Sequence, residues 1–472
     1  MFAPTLSKQC TKKAIHFQVS ERKVLLRLLD IVLAIFGLYL LGLLFDYEYL
    51  MIRWENSVAI LILILYLSVF GTVFEIYDLQ KSSQLDVTFR NIVLTVSTTV
   101  LFYFLTPVVT PFLPEKRLQI VYFYLTIVAS IFLWRIAYVT LIASPRFYKR
   151  VILVGEMTYV TSFLEALSQS DPNYKIVGFI NCDLSKKTPV KFEGIREFQA
   201  DELMQVISEE KISEVVVASY NTETITTQIY SDLMLLLERG FTIREYSQVY
   251  EEITYRVPIQ FVGKDFYKYF PFSRSNQNKL YLFFNRFFDI LFSIVGLSVA
   301  VLISPVILIG NLLANRGPLF YTQERVGKHG KVFKIIKLRS MIVNAETEGA
   351  KWALANDVRI TKFGNFLRRS RLDEIPQFIN IIKGEMSLIG PRPERPFFVE
   401  ELSRSIPFYE TRHVVKPGLT GWAQVKTRYG ASVDDSLTKL QYDLFYIKRR
   451  SFFLDLNIMV KTLSTVLYYR GQ

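Results

Sequence analysis

The sequence predicts a membrane protein with three parts: an N-terminal four-helix transmembrane bundle, a Rossmann-like α/β middle domain and a C-terminal domain that begins with a re-entrant membrane segment. Three observations lead to this prediction. Hydrophobic residues make up 51% of the 472 residues, and the mean hydropathy is +0.25, which is unusual for a soluble globular chain. Strand-like and helix-like patterns alternate in the middle of the chain. Lysine and arginine are concentrated after a fifth apolar segment, in the last third.

Four apolar stretches form the predicted membrane domain, residues 1–147. They cover residues 24–45, 57–74, 91–112 and 118–143, and each is close to the ~20 residues that a helix needs to cross a bilayer. The first stretch lacks a small-residue cleavage site and three more stretches follow it, so it is predicted to stay in the chain.

Basic residues at the ends of these stretches predict the orientation. Ten lysine and arginine residues flank the stretches on the side of the N-terminus, and three lie on the other side. Because basic residues favour the cytoplasmic side, the N-terminus and the chain after residue 145 are predicted to be cytoplasmic. Arg27 and Asp30, in the first stretch, are interpreted as an ion pair near the interface, with a functional intramembrane site as the alternative.

Residues 148–260 have the composition of a soluble α/β domain. Since strands that alternate with helices are typical of a parallel sheet, a Rossmann-like sheet is predicted. The predicted strands are 150–155, 175–180, 214–219 and 241–246, and the predicted helices lie near 158–169, 200–210 and 224–239.

The turn after the first of these strands argues against a dinucleotide site. A phosphate-binding turn needs several glycines, so that the backbone can approach the pyrophosphate. The turn Gly155–Tyr159 has one glycine, and Glu156 places a negative charge where a phosphate would lie. The middle domain is therefore expected to bind no NAD and to act in assembly, by forming a homodimer.

The composition limits the chemistry that the chain can carry. Two cysteines, Cys10 and Cys182, are too few for a disulfide framework, and three histidines argue against a zinc site. Any metal is expected to be a hard ion held by oxygen atoms. The net charge of +13 favours anionic partners, such as phosphate groups, nucleic acid or acidic lipid.

A fifth apolar segment, Asp289 to Ala314, contains Ser304-Pro305 near its middle. Proline removes a helix hydrogen bond, so a kink is expected there. A straight helix would carry the rest of the chain across the membrane, whereas a re-entrant hairpin, about residues 285–314, would return it to the same side. Residues 315–375 contain 13 lysine and arginine residues against six acidic ones, which favours the cytoplasmic side and therefore the hairpin.

Asp373 and Glu374 are neighbouring acids within this basic region, directly before a predicted helix with Pro376 in its first turn. The start of a helix favours bound phosphate. Two neighbouring carboxylates can hold a divalent ion, and one of them could attack phosphorus. A structural alternative is that the pair only stabilises the helix dipole.

Further segments combine cations with rigid or tightly turning backbone, and together they carry a family resemblance. The C-terminal domain, predicted as residues 275–472, resembles the bacterial sugar transferases called polyprenyl-phosphate hexose-1-phosphate transferases, or monotopic phosphoglycosyl transferases. The matching blocks, in the family's order, are Phe288-Asp289, Gly317-Pro318, Gln323–Gly327, Lys337–Met341, Leu372–Gln377, Gly384–Pro393 and Lys416–Val425. The spans and the glycine-poor middle domain resemble the long form of that family. Leu338 and Arg371 depart from the common pattern, where phenylalanine and a small hydroxyl residue are frequent.

The resemblance implies transfer of a hexose 1-phosphate from a UDP-sugar to undecaprenyl phosphate, with release of UMP, at the start of exopolysaccharide, capsule or O-antigen synthesis. It makes Asp373 the nucleophile that forms an aspartyl phosphosugar intermediate, and it makes Glu374 an assistant through Mg²⁺ or proton handling. Both acids are the expected Mg²⁺ ligands. Lys337, Arg339 and Arg392 are the expected phosphate contacts.

The same resemblance places the protein in the bacterial inner membrane as a multi-pass protein with cytoplasmic soluble domains, in contact with lipid and without a nucleic-acid partner. Residues 452–467 are predicted to form an amphipathic element in the membrane interface or, equally, part of the core. Two other functions stay open: a membrane-anchored nucleotide-sugar dehydratase, which would need a second glycine-rich dinucleotide fold, and a non-catalytic scaffold for polysaccharide assembly.

Overall fold

The structure is a computed structural model, and it divides the chain into two compact units, Met1–Thr254 and Tyr255–Gln472. The residues that it describes are 19–45, 57–78, 82, 85–107, 110, 116–142, 149–155, 163, 174–182, 195–218, 225–259, 278–343, 345, 357–427 and 432–467.

Helices are present at all four predicted apolar stretches of the first unit. They are α1 (Val19–Phe45), α2 (Ser57–Val73), α3 (Leu85–Phe104) and α4 (Leu118–Ala137), and a π-helical turn follows α4 at Tyr138–Ile142. Helices α1, α3 and α4 are long and apolar enough to cross a membrane, whereas α2 is a shorter apolar helix of 17 residues. The chain is therefore membrane-associated.

A buried ion pair joins α1 to α4. Arg135 donates to Asp30 at 2.5 Å, and both side chains are buried. Arg27 instead lies over the ring of Tyr77, 4.8 Å from its centre, and donates to Thr72. The predicted pairing of Arg27 with Asp30 is therefore wrong, because the carboxylate is buried between two helices and meets a cation that is distant in the sequence.

The middle of the chain contains a five-stranded parallel sheet with the order β3-β2-β1-β4-β5. Four of the strands match the predicted ones, and β3 was not predicted. The elements are β1 (Lys149–Gly155), β2 (Tyr174–Asn181), β3 (Arg196–Phe198), α5 (Leu203–Glu209), β4 (Glu214–Ala218), α6 (Thr227–Glu238), β5 (Thr242–Glu245) and α7 (Tyr246–Thr254).

Gly155 has a packing reason to be glycine at the end of β1. A Cβ atom there would lie 2.0 Å from the carbonyl oxygen of Ala218, on the neighbouring strand β4. This close approach of two strands explains the residue without a bound phosphate. Glu156 and nearly all of the predicted helix 158–169 lie outside the described residues.

The second unit combines one long apolar helix with short helices and two small sheets. Strands β6 and β7 form an antiparallel hairpin, and β8 and β9 form a parallel pair. In order, the elements are α8 (Lys279–Ala314), β6 (Phe320–Val326), β7 (Val332–Leu338), α9 (Lys362–Arg369), α10 (Gln377–Lys383), β8 (Ser387–Ile389), α11 (Pro396–Ser405), β9 (Gly418–Thr420), α12 (Trp422–Lys426), α13 (Val433–Arg449) and α14 (Phe452–Leu467).

The segment directly before the predicted C-terminal domain belongs to the core of this unit. Val257 and Ile259 are buried among residues of α11, α12 and α13. Tyr255 packs edge-on against the ring of Trp422, with centroids 5.9 Å apart. The second unit thus begins earlier in the chain than residue 275, the limit suggested by the sequence.

Helix α8 is one continuous helix of 36 residues, with Pro305 inside it. Ser304 turns its hydroxyl back to the carbonyl of Val301, at 2.8 Å. The reversal of the chain that defines a hairpin is therefore not established, and the predicted hairpin with its Ser304-Pro305 kink stays a prediction.

Candidate active site

Asp373 and Glu374 lie in a 3₁₀ turn, Leu372–Glu374, between helices α9 and α10. Arg371, directly before the turn, has a φ of 58°, in the left-handed region, so the chain turns sharply after α9. Pro376 directly precedes α10, as the sequence predicts. Both acidic side chains are buried, so a short, fixed turn holds two neighbouring carboxylates in the interior.

Glu374 is surrounded by positive charge. Its Oε1 atom accepts from Arg392 at 2.8 Å and faces Lys337 at 3.4 Å, and its Oε2 atom lies 3.4 Å from Arg371. Burial alone would raise the pKa of Glu374, but the charges of Arg392, Lys337 and Arg371 outweigh it and hold the pKa well below its usual range. Glu374 is therefore ionised throughout the physiological range.

Asp373 has the opposite environment. Burial, followed by the neighbouring charge of Glu374, raises the pKa of Asp373 to about 6, although Lys337, Arg368 and Arg371 oppose the shift. Its Oδ1 atom is buried and has no hydrogen-bond partner among the described residues. A carboxyl group with a pKa near neutrality and an unpaired oxygen is more available for reaction or for a ligand than the carboxylate of Glu374, which is held by cations.

Lys337 reaches the pair from strand β7. Asn380, fully buried in α10, fixes the position of this strand: its Oδ1 accepts from the N–H of Ile336 at 3.1 Å, and its Nδ2 donates to the carbonyl of Lys334 at 2.8 Å. The Asn380 side chain thus makes the backbone hydrogen bonds that a neighbouring strand would otherwise make with β7. Burial lowers the pKa of Lys337, and Glu374 opposes that shift.

Arg392 extends from a proline-rich loop, Gly390–Pro396, that is held through its carbonyl groups. Four successive carbonyls accept hydrogen bonds from three parts of the domain. The donors and acceptors are Gly418 N to Pro391 O (2.9 Å), Arg412 Nη2 to Arg392 O (2.9 Å), Arg325 Nη1 to Pro393 O (2.9 Å) and Val326 N to Glu394 O (2.9 Å). Since Pro391 and Pro393 have no N–H group, the carbonyls carry most of the attachment of this loop.

Arg412 is itself buried and paired. It donates to Asp443 of α13 at 2.8 Å and to the hydroxyl of Tyr409 at 2.6 Å. The guanidinium group thus connects the core carboxylate of Asp443 to the backbone of Arg392. Sequence reasoning missed Arg412, Asp443 and Asn380, because nothing in their spacing distinguishes them from surface residues.

The described hydrogen bonds of the Arg339 guanidinium group go to backbone carbonyls and not to Asp373 or Glu374. Its guanidinium group donates to the backbone carbonyls of Pro318 (2.6 Å), Met341 (3.3 Å) and Asn315, the residue directly after α8. A Cβ atom at Gly317 would lie 3.1 Å from this group, which explains the Gly317-Pro318 block. The described contacts make Arg339 a connection between α8 and β7, and its predicted phosphate contact stays a prediction.

The structure thus brings together four of the predicted residues: Asp373, Glu374, Lys337 and Arg392. It adds Arg371, one of the two residues at which this sequence departs from the resembled family, as a third cation on Glu374. Ser304 and Pro305 lie in α8, away from these contacts. The described residues contain no group of three or more acidic, histidine or cysteine side chains that could hold a metal.

These features define the class of protein. Two buried carboxylates with opposite pKa shifts, enclosed by lysine and arginine, are suited to chemistry on a phosphate group. Their domain also carries a helix long and apolar enough to cross a membrane. Such a site, in a membrane-associated chain, is typical of the class of membrane enzymes that act on phosphate groups.

Comparison with known proteins identifies the family. Residues 280–469 match the family described as bacterial sugar transferase. The chain is 41% identical over 223 residues to UDP-N-acetylgalactosamine-undecaprenyl-phosphate N-acetylgalactosaminephosphotransferase of Aeromonas hydrophila, covering 47% of this chain and 51% of the relative. It is 49% identical over 141 residues to a putative undecaprenyl-phosphate N-acetylgalactosaminyl 1-phosphate transferase of Bacillus subtilis (strain 168), covering 30% of this chain and 79% of the relative.

A third relative is UDP-glucose:undecaprenyl-phosphate glucose-1-phosphate transferase of Escherichia coli (strain K12), 43% identical over 171 residues, which cover 35% of this chain and 36% of the relative. The chain belongs to the bacterial sugar transferase family, and the family resemblance seen in the sequence is confirmed. The matched part spans about half the length of the Aeromonas relative.

Proposed function

We propose that the protein transfers a sugar 1-phosphate from a UDP-sugar to undecaprenyl phosphate and releases UMP. The observation that carries this proposal is the contrast between Asp373, buried with an unpaired oxygen, and Glu374, held by three cations. Relatives named for undecaprenyl-phosphate sugar transfer support the choice of substrates.

The reaction proceeds in two displacements. Asp373 forms a bond from its carboxylate oxygen to the phosphorus that bears the sugar, and the bond from this phosphorus to the oxygen of UMP breaks. A phosphate oxygen of undecaprenyl phosphate then attacks the aspartyl phosphosugar, and the carboxylate of Asp373 leaves. The product is an undecaprenyl diphosphate sugar.

Glu374 organises charge in this scheme. Since its pKa lies well below its usual range, it is a poor proton carrier near neutral pH. It holds Lys337, Arg392 and Arg371 in one cluster, and these cationic groups are suited to bind the diphosphate of the donor and the charge that develops on UMP. This geometry favours an electrostatic role over the proton handling that the sequence left open.

Mg²⁺ is the expected cofactor, and the residues fit it in part. The unpaired Oδ1 of Asp373 offers one ligand, whereas the oxygens of Glu374 already face cations. Mg²⁺ commonly takes one or two carboxylates together with substrate phosphates, so Asp373 with the donor diphosphate is the proposed ligand set. When bound, the ion would neutralise charge on the diphosphate and on UMP.

Contacts along α8 support a re-entrant placement. A Cβ atom at Gly296 would lie 2.3 Å from the ring of Phe378, in α10, and one at Gly310 would lie 2.4 Å from the ring of Phe363, in α9. The two glycines flank Pro305, and the helices that they contact flank the Asp373-Glu374 turn. Both halves of α8 thus pack against the same domain, while Leu302, between them, is 79% exposed. A helix that carried the domain across the membrane would contact it at one end only.

Helix α14 also contributes to the surface that is proposed to contact the membrane. Phe453, on α14, is 82% exposed, and its neighbour Phe452 packs near Phe288 of α8. Apolar side chains on both helices therefore belong to one surface that suits the lipid interface. We further propose that the protein lies in the inner membrane with its soluble domains in the cytoplasm. The middle domain is proposed to form a homodimer.

The decisive experiment measures UMP release from the full chain in nanodiscs with undecaprenyl phosphate. The panel of donors contains UDP-N-acetylgalactosamine, UDP-glucose and UDP-galactose. We expect release with at least one donor, dependent on undecaprenyl phosphate and lost in excess EDTA. Folded protein that releases no UMP with any donor would favour the scaffold function. Activity that survives EDTA would remove Mg²⁺ from the proposal.

A further inference from the structure

The described part of the chain contains a second group of cations, close to the start of α8. The ammonium group of Lys416, which directly precedes the Pro417-Gly418 turn, and the guanidinium group of Arg286, in α8, both lie beside Gly384. A Cβ atom placed on Gly384 would lie 3.6 Å from Lys416 Nζ and 3.8 Å from Arg286 Nη2, and no other heavy atom outside its chain neighbours lies within 4 Å. We call this space the Gly384 notch.

Among the described residues, the two cations share one nearby carboxylate, Asp289. Arg286 donates to the carbonyls of Ile381 (2.6 Å) and Ile382 (2.7 Å), at the end of α10. Lys416 donates to no oxygen among the described residues. Asp289 is the nearby carboxylate: its Oδ1 accepts from Ser387 (3.0 Å) and from the N–H of Leu388 (2.8 Å), and its negative charge offsets part of the positive charge of Lys416 and Arg286. The notch therefore has an excess of positive charge, and the half-buried ammonium of Lys416 lacks a hydrogen-bond acceptor among the described residues.

The direction of the pKa shift of Lys416 also indicates an excess of positive charge at the notch. Burial and the charge of Arg286 lower the pKa of Lys416, with Asp289 opposing and with Lys328 and Arg450 adding to the repulsion. An anion in the notch would relieve this repulsion, and phosphate suits it because Lys and Arg together offer several converging donors.

The surroundings indicate where the phosphate comes from. Phe283 and Phe287, one turn before Arg286 and directly after it, are 64% and 52% exposed on the apolar helix α8. The notch therefore borders the surface assigned to lipid. It lies at the opposite end of α10 from the Asp373-Glu374 turn, and the seven residues of that helix correspond to about 10 Å.

We propose that the Gly384 notch binds the phosphate of a lipid headgroup through Lys416 and Arg286. The bound lipid would fix the start of α8 at the membrane surface, with its phosphate one helix length from the reacting carboxylate. The inference needs α8 to lie in the membrane, as in the proposed function, but it does not need the transferase reaction.

The test compares lipid binding by the full chain in neutral detergent, with native mass spectrometry as the readout. The probes are phosphatidylglycerol, phosphatidylcholine, undecaprenyl phosphate and inorganic phosphate. Lys416→Gln is expected to weaken the tightest lipid phosphate site about tenfold, the effect of one charge-assisted hydrogen bond. Lys416→Arg should retain binding. Lys383→Gln, at the exposed end of α10, is the matched control and should change the affinity less than twofold.

Each outcome decides the proposal. A Lys416-dependent site for phosphatidylglycerol supports it with a bulk lipid as ligand, and a Lys416-dependent preference for undecaprenyl phosphate supports it with the substrate lipid as ligand. Equal affinities in wild type and Lys416→Gln, or binding of inorganic phosphate without any lipid, would overturn it. Because binding is measured without turnover, a negative result leaves the transferase proposal to its own assay.

Discussion

Neighbouring residues in the Asp373-Glu374 pair have opposite properties because their surroundings differ. Glu374 faces three cations and stays ionised, whereas Asp373 is buried, lies beside a permanent negative charge and keeps an unpaired oxygen. The sequence predicted the pair and proposed Asp373 as nucleophile by resemblance. It could not assign the pKa values, since two of the three cations, Lys337 and Arg392, come from β7 and from the proline loop, outside the segment that carries the pair.

Replacing Asp373 by asparagine tests whether Asp373 is the nucleophile of the pair. Asp373→Asn should abolish UMP release and leave the Tm unchanged or a few degrees higher. The pKa of Asp373 is raised to about 6 in the folded state, above its unfolded value, so ionisation at neutral pH opposes folding and its removal relieves that cost. In the wild type, kcat/KM should fall as the pH decreases through about 6, because the attacking carboxylate becomes protonated.

The exposed Asp434 provides the matched control: Asp434→Asn should leave activity unchanged, and it should lower the Tm slightly because Asp434 lies in the first turn of α13. Thermal melts and UMP release between pH 5 and 8.5 supply the measurements. Wild-type turnover by a folded Asp373→Asn protein, or a pH profile that stays flat below 6, would contradict the assignment.

Among the elements, the proline-rich loop Gly390–Pro396 shows how the domain places a cation. Its prolines remove N–H donors, and its carbonyls are held by β6, by the Gly418 N–H and by Arg412. The sequence indicated a rigid loop that carries Arg392. The anchors of the loop come from distant segments, so only the folded chain reveals them.

Arg412 and Asp443 allow this anchoring to be tested separately from folding. Arg412→Met alone leaves Asp443 buried and unpaired, which costs about 3–5 kcal/mol of folding stability. This single variant should therefore have a much lower Tm than the wild type. The double variant Arg412→Met with Asp443→Leu removes both charges and should recover most of the Tm. It should still lose about tenfold to a hundredfold in kcat/KM, because the carbonyl of Arg392 has lost its donor.

Arg404, exposed on α11 and paired with Glu400, supplies the control, and Arg404→Met should retain wild-type kinetics. If the folded double variant keeps wild-type kcat/KM, Arg412 only supports the core and does not position Arg392.

For the whole molecule, the position at which the second unit begins has a direct consequence for its stability. Val257 and Ile259 are buried in its core, and burial of such side chains contributes about 1.5–3 kcal/mol each. A fragment that begins at Tyr255 should therefore melt several degrees higher than one that begins at Gln277. Both should release UMP, since all proposed catalytic residues lie beyond residue 330.

Melting temperature, UMP release and mass photometry in nanodiscs measure stability, activity and subunit number. Loss of dimers in both fragments would agree with an assembly role for the middle domain. Equal melting temperatures would show that residues 255–259 are dispensable, and complete loss of turnover in a folded fragment would show that the first unit is required for catalysis.

The sequence by itself determined the apolar helices, four of the five strands of the parallel sheet, the family and the acidic pair, because each of these is recorded in local periodicity or in a contiguous block of residues. The tertiary structure decided which partners the charged groups meet. It gave Asp30 to Arg135 instead of Arg27, turned Arg339 to the carbonyls at the end of α8, and added Arg371 and Arg412 to the site. The physical reason is that a buried charge must find a counter-charge or a hydrogen bond wherever the fold provides one, and that partner is usually remote in the chain.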